Sequence, residues 1–174
     1  MKQLPYFCRK SPKKMKEFIH ECHYTLYAFD ELAEADRQLV LSAQEATKRS
    51  YAPYSHFHVG AAARLNGGTI VIGSNQENAA FPSGLCAERT ALFAAGAQYP
   101  EQSVVALAIA AADANGLTSI PTPPCGACRQ VMLETETRSG CPMRILLYGT
   151  QGTFVFEGVK QLLPLTFDGS FLRE

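Results

Sequence analysis

Cys86-Ala87-Glu88-Arg89-Thr90-Ala91-Leu92-Phe93-Ala94-Ala95-Gly96-Ala97 and, shortly after it, Val104-Val105-Ala106-Leu107-Ala108-Ile109-Ala110-Ala111-Ala112 decide the fold of this chain. The first run is rich in alanine, the best helix former, and reads as a helix over 86–97. The second is apolar at every position, so it reads as a strand buried on both faces. The same alternation continues downstream. Cys125 to Thr137 is a second helical run, Arg144 to Tyr148 and Thr153 to Glu157 are strands, and Leu162-Leu163-Pro164 closes a last short helix. Upstream, Glu31 to Arg49 carries Leu32, Ala35, Leu39, Ala43 and Ala46 at helical spacing. Val59 to Leu65 and Thr69 to Gly73 flank Asn66-Gly67-Gly68, a strong hairpin signal, and Tyr24 to Phe29 fits a short strand. Tyr51 to Ser55, Asn75 to Leu85 and the stretch ending in Pro121-Thr122-Pro123-Pro124 read as loops. Strands alternating with helices predict a three-layer α/β/α sandwich around a central mixed sheet of about five strands.

The chain has 174 residues, enough for one domain with a real core. An N-terminal extension over 1–30 precedes a single globular domain over 31–174. The formal net charge is zero, which argues against a polynucleotide or anionic-membrane binder. No apolar run approaches the roughly 20 residues that cross a bilayer, and the first residues lack the apolar core of a signal peptide. A cytoplasmic, reducing setting follows as the default, with the six cysteines as thiols. Met1 to Lys16 holds six Lys or Arg and no acid, and reads as a solvated tail; Met15 is an alternative start.

Cys86-Ala87-Glu88 and Pro124-Cys125-Gly126-Ala127-Cys128 supply three thiolates and a carboxylate. Three thiolates hold a Zn²⁺ and leave its fourth position open, while a neighbouring acid that is not a ligand moves protons there. Both motifs open predicted helices, whose N-termini carry partial positive charge and favour thiolates. Cys125 and Cys128, three apart, face the same way on one helical turn. Zn²⁺ with three thiolates is net negative, so a group that withdraws charge from sulfur is expected; Arg89 is the first candidate and Arg129 the second. A Cys-x-x-Cys alone is equally a redox pair or two buried thiols. A closed structural zinc site would need a fourth ligand, for which His20, Cys22 and His23 are weak candidates; Cys8 and Cys141 have no partner pattern.

Cys-x-Glu followed by Pro-Cys-x-x-Cys resembles the zinc-dependent nucleoside and nucleotide deaminases. Four stretches resemble the small homotetrameric cytidine deaminases in order and spacing: Tyr51-Ala52-Pro53-Tyr54-Ser55-His56-Phe57, Gly73-Ser74-Asn75-Gln76-Glu77-Asn78-Ala79, Cys86 to Ala91, and Pro124 to Val131. The likeness runs from about Asp36 to Phe167. It implies that 31–174 is a catalytic domain that deaminates cytidine and 2′-deoxycytidine hydrolytically, in pyrimidine salvage. Cys86, Cys125 and Cys128 would hold one Zn²⁺ per subunit, and Glu88 would shuttle protons from the bound water to N3 and the leaving amine. The likeness further implies that Asn75 and Glu77 contact the ribose, that Phe57 packs on the pyrimidine and that the Ala87 backbone reads the base edge. It implies a homotetramer, with Phe81 and Phe167 in pockets shared between subunits. Phe81 stands where many relatives have tyrosine, and His58 where a proline is usual, read here as a half-exposed strand residue.

Other readings differ by residue. Nucleotide and tRNA deaminases usually carry histidine at the position of Cys86. Blasticidin S deaminases share the cysteines but would lack the Asn75–Glu77 pair. A non-catalytic, zinc-stabilised assembly module would have no use for Glu88.

Overall fold

The computed structural model describes residues 16–172. Cys8, Met15 and the basic stretch before it lie outside the described residues. The strands are β1 (Thr25–Tyr27), β2 (His58–Leu65), β3 (Ile70–Ser74), β4 (Val104–Asp113), β5 (Gly116–Leu117), β6 (Arg144–Gly149) and β7 (Gly152–Glu157). The helices are α1 (Glu34–Thr47), α2 (Ala87–Gln98) and α3 (Gly126–Ser139), joined by short 3-10 turns.

The strands form one sheet in the order β1-β7-β6-β4-β2-β3, with β5 paired to the end of β4. Only β4 and β6 run parallel, linked through α3; the other pairs are antiparallel. The sheet is mixed, as expected, but has seven strands rather than about five. The excess lies at the periphery. β1 is only three residues long, and β5 is a two-residue return. The β5 turn is made by Asn115, whose N–H donates to Asp113 Oδ1 at 2.7 Å, and by Gly116 at φ +101°. Asn115-Gly116 is itself a hairpin signal.

Alternation along the strands divides the core into two layers. Ala106, Ala108 and Ala110 of β4, with Ala62, Leu146 and Val155, pack under Leu39, Val40 and Ala43 of α1. Leu107 and Ile109, with Ala61, Ala63, Ile145 and Leu147, pack on the opposite face against Ala91, Leu92, Cys128 and Met132 of α2 and α3. β4 is covered on both sides, which is why its sequence is apolar throughout. The buried stripe of α1 runs through Asp36, Leu39, Val40, Ala43 and Ala46, while Ala35 is exposed. Asp36 tolerates burial because Arg64 Nη2 donates to it at 3.0 Å and Arg144 Nε at 2.9 Å. These bonds tie α1 to β2 and β6.

The small residues of the β2–β3 hairpin let helices approach from both sides. A Cβ at Gly60 would lie 2.1 Å from the Ala43 carbonyl oxygen of α1. One at Gly73 would lie 2.6 Å from the Ala87 carbonyl oxygen of α2. Gly73 thereby sets how closely the start of α2 sits on the sheet.

Candidate active site

Cys86 and Cys125 occupy equivalent places: each is the extended residue that immediately precedes a helix, α2 and α3 respectively. Their carbonyls close the first turns, accepting from Thr90 N at 3.1 Å and Arg129 N at 3.0 Å. Cys128 lies in the first turn of α3, fully buried. The two helix starts converge, and Sγ of Cys125 stands 3.8 Å from that of Cys86 and 3.5 Å from that of Cys128. Ligands about 2.3 Å from a tetrahedral zinc lie about 3.8 Å from one another, so the donor set fits the ion. Among the described residues no fourth His, Cys, Asp or Glu joins these three, so one position stays open. His20, Cys22 and His23 are exposed and form no such group; His23 N donates instead to Gln161 Oε1. Cys141 turns its thiol to the Pro142 carbonyl.

The protein's own charges fit a thiolate site. The neighbouring Cys128, then Arg89 and Cys125, hold the Cys86 thiol low, at about 5. The neighbouring Cys86, and burial, push Cys128 up. Arg89 Nη2 lies 3.8 Å from Cys86 Sγ, the place expected for a charge-withdrawing partner. Arg129 goes elsewhere: it donates to the carbonyls of Pro124 at 2.9 Å and Leu162 at 2.6 Å, bracing the loop that delivers Cys125. Glu88 is only 4% exposed, and burial, followed by the negative charge of Cys86, raises its pKa. A buried carboxyl beside a metal site, its pKa raised by burial, is placed to take and return a proton.

Cys86, Cys125, Glu88 and Arg89 line a cleft of about 470 Å³, a volume in the small-ligand range. Asn75, Glu77 and Phe57 line the same cleft, and so does Phe81, 75% exposed and edge-on to Tyr54. The two groups of residues are stitched together at Gln76. Its N–H and carbonyl bond reciprocally to Leu85 at 2.8 and 2.9 Å, one residue before Cys86. Tyr51 N donates to the Asn75 carbonyl and Glu77 N to the Tyr51 carbonyl, at 3.0 and 2.8 Å. The Asn75 amide spans β2, donating to Phe57 O at 2.9 Å and accepting from Val59 N at 2.8 Å. Ala87, between the lining residues Cys86 and Glu88, is fully buried at the first position of α2 and is not itself among the cleft residues. Phe167 is not among the cleft residues of its own chain; it stacks on Phe171 at 5.6 Å and is 56% exposed. His58 is half-buried in β2, with Nδ1 3.2 Å from Ser50 Oγ.

Ser55, Ile109, Thr122 and Pro123 also line the cleft and were not singled out by sequence. Pro121-Thr122-Pro123-Pro124 signals only a stiff loop, and Ile109 reads as core because it lies inside the apolar run of β4.

The family profile described as the cytidine and deoxycytidylate deaminase zinc-binding region matches residues 33–141. A cytidine deaminase of Halalkalibacterium halodurans is 42% identical over 142 residues, covering 80% of this chain and 99% of that protein. One of Sporosarcina psychrophila is 40% identical over 79% of this chain and 91% of its own length. A crystal structure of cytidine deaminase from Burkholderia pseudomallei superposes with a TM-score of 0.65 at 40% identity, covering 75% of this chain and 97% of that one. Fold, sulfur triad and likeness agree, and the chain belongs to the zinc-binding cytidine and deoxycytidylate deaminase family.

Proposed function

We propose that this protein hydrolyses cytidine and 2′-deoxycytidine to uridine and 2′-deoxyuridine, releasing ammonia, in pyrimidine salvage. The observation that carries the reading is the cleft itself: two sulfurs of the converging triad and buried Glu88 line it together with Asn75 and Glu77. Cys86, Cys125 and Cys128 would hold Zn²⁺, which when bound supplies Lewis-acid activation of water at neutral pH. Glu88 takes a proton from the attacking water and delivers it to the pyrimidine N3, then takes the proton of the new C4 hydroxyl and delivers it to the departing 4-amino group. One carboxylate serves as base and then acid because it sits beside both the metal site and the cleft. In the net change the C4–N bond breaks, a C4–O bond forms, and water and cytidine become uridine and ammonia. Arg89 offsets the negative charge of the sulfurs. Asn75 and Glu77 hold the ribose, Phe57 packs on the ring, and the buried, small Ala87 lets the base edge approach the α2 backbone.

Residues 31–174 form the catalytic domain and 1–30 an extension, in keeping with a family match that begins at residue 33. A thiolate site of this kind works in a reducing compartment, which supports a cytoplasmic location. We take the active form as a homotetramer with Phe81 and Phe167 at shared pockets; the support is their exposure, together with that of Leu165, Phe171 and Leu172. Light scattering of the purified protein tests that assembly.

An ultraviolet assay of zinc-loaded protein with cytidine, deoxycytidine, CMP, adenosine and blasticidin S tests the activity. Turnover of the first two is expected; absence of turnover of both would refute the reading.

A further inference from the structure

We propose that Ser55 is a positioning residue for the sugar end of the cleft, its hydroxyl locking the Glu77 carboxylate and the Phe57 backbone into the arrangement that receives a ribose. The proposal rests on the reading of Glu77 as a sugar contact.

Ser55 Oγ donates to Glu77 Oε1 at 2.5 Å and accepts from Phe57 N at 3.1 Å. The backbone N–H groups of Tyr54 and Ser55 donate to Glu77 Oε2 at 2.9 and 3.3 Å. A carboxylate offers about four acceptor sites. Three are taken by this one turn, so the carboxylate cannot rotate, and about one site remains for a ligand hydroxyl. The turn works because His56 adopts a left-handed backbone at φ +54°, costly for a residue with a Cβ. The reversal at His56 brings Phe57 N back onto Ser55 Oγ, and His56 N is held by the Ala52 carbonyl at 3.1 Å. Strain of this kind persists where surrounding bonds over-determine it, commonly at ligand sites. The Ser55 hydroxyl also contributes most to keeping Glu77 below its ordinary pKa, so the carboxylate stays an acceptor. Through Phe57 the same hydroxyl reaches the aromatic wall of the cleft. Ser55 thus links the group read as holding the sugar to the group read as packing on the base.

The test is steady-state kinetics of zinc-loaded Ser55→Ala, Ser55→Thr, Glu77→Gln and Ser55→Ala/Glu77→Gln, with zinc content and thermal unfolding measured on each. Ser55→Ala is expected to raise KM for cytidine about tenfold, the scale of one charge-assisted hydrogen bond, with kcat changed less than about twofold. In the Glu77→Gln background the same substitution should add less than about twofold, because the two residues act as a unit. Ser55→Thr keeps the hydroxyl and should keep KM within about threefold of the parent. If Glu77→Gln raises KM and Ser55→Ala does not, the role of Ser55 is overturned and the sugar reading stands. If Glu77→Gln leaves KM unchanged, the sugar reading fails and the proposal with it. Equal losses of kcat, zinc and melting temperature in Ser55→Ala would mark a merely structural serine, also overturning it.

Discussion

The sulfur triad and the surroundings of Glu77 are built by different means. At the triad the groups sit on the first turns of two helices, with Cys128 and Glu88 buried and the backbone closed by intrahelical bonds. Around Glu77, Ser55 is exposed on a loop and Phe81 on a short 3-10 turn, and order comes from side chains bonded to backbone, notably Glu77 and Asn75. The proposed metal and proton-transfer groups are fixed by secondary structure, whereas the proposed sugar contacts are fixed by side-chain hydrogen bonds to backbone. The comparison implies that damage at the triad appears in metal content and kcat, and damage around Glu77 in KM.

The largest effect should come from Cys128→Ala. With one of three sulfurs gone, zinc by atomic emission should fall far below one per chain, and deamination should be undetectable. Glu88→Gln should keep full zinc and lose about 10³- to 10⁴-fold in kcat, the range of a general acid–base group. Loss of zinc in that variant would make Glu88 a ligand and erase the division of labour. Around Glu77, uridine affinity of the Glu88→Gln protein, measured by calorimetry, should stay level as pH falls from neutrality to the ordinary glutamate value of 4.5, then weaken below it. The sign follows from a depressed folded pKa: the charged, hydrogen-bonded form, and its contribution to the loop's stability, persist above the unfolded value and are lost as pH falls through the folded one. Weakening that begins well above 4.5 would mean Glu77 is not held by its loop. Smallest at the cleft should be Asp36→Ala, on the opposite sheet face. It removes one partner each from Arg64 and Arg144, which keep the Ala35 carbonyl and Glu157 respectively, and should cost about 2 kcal/mol in chemical denaturation, the scale of hydrogen bonds to charged groups, with little change in kcat or KM.

What the sequence made legible follows the same division. The helices came within a few residues because alanine-rich runs and cysteine motifs mark their starts, and β4 because burial on both faces removes every polar residue. Cys86, Cys125, Cys128 and Glu88 could be chosen because metal chemistry demands particular atoms at particular spacings. The partners of Glu77 could not, since Ser55 lies 22 residues away and a serine in a turn carries no signal of what its hydroxyl reaches. Asp36 was hidden likewise: helical periodicity pointed to Ala35, and only the arginines of two distant strands explain why an aspartate is buried there. The short strand β5 escaped because two residues have no period, although Asn115-Gly116 marked its turn.

The short strand β1 has a consequence unrelated to chemistry. It pairs with β7, and Tyr24 beside it covers Phe154 and Phe156 at ring distances of 5.0 and 5.2 Å. A six-residue β7 with two phenylalanines would, if bare, be a template for strands of other molecules. Capped by a three-residue strand, the sheet instead ends on an edge too short to recruit one. The strand β1 thus covers an edge of β7 that would otherwise be bare.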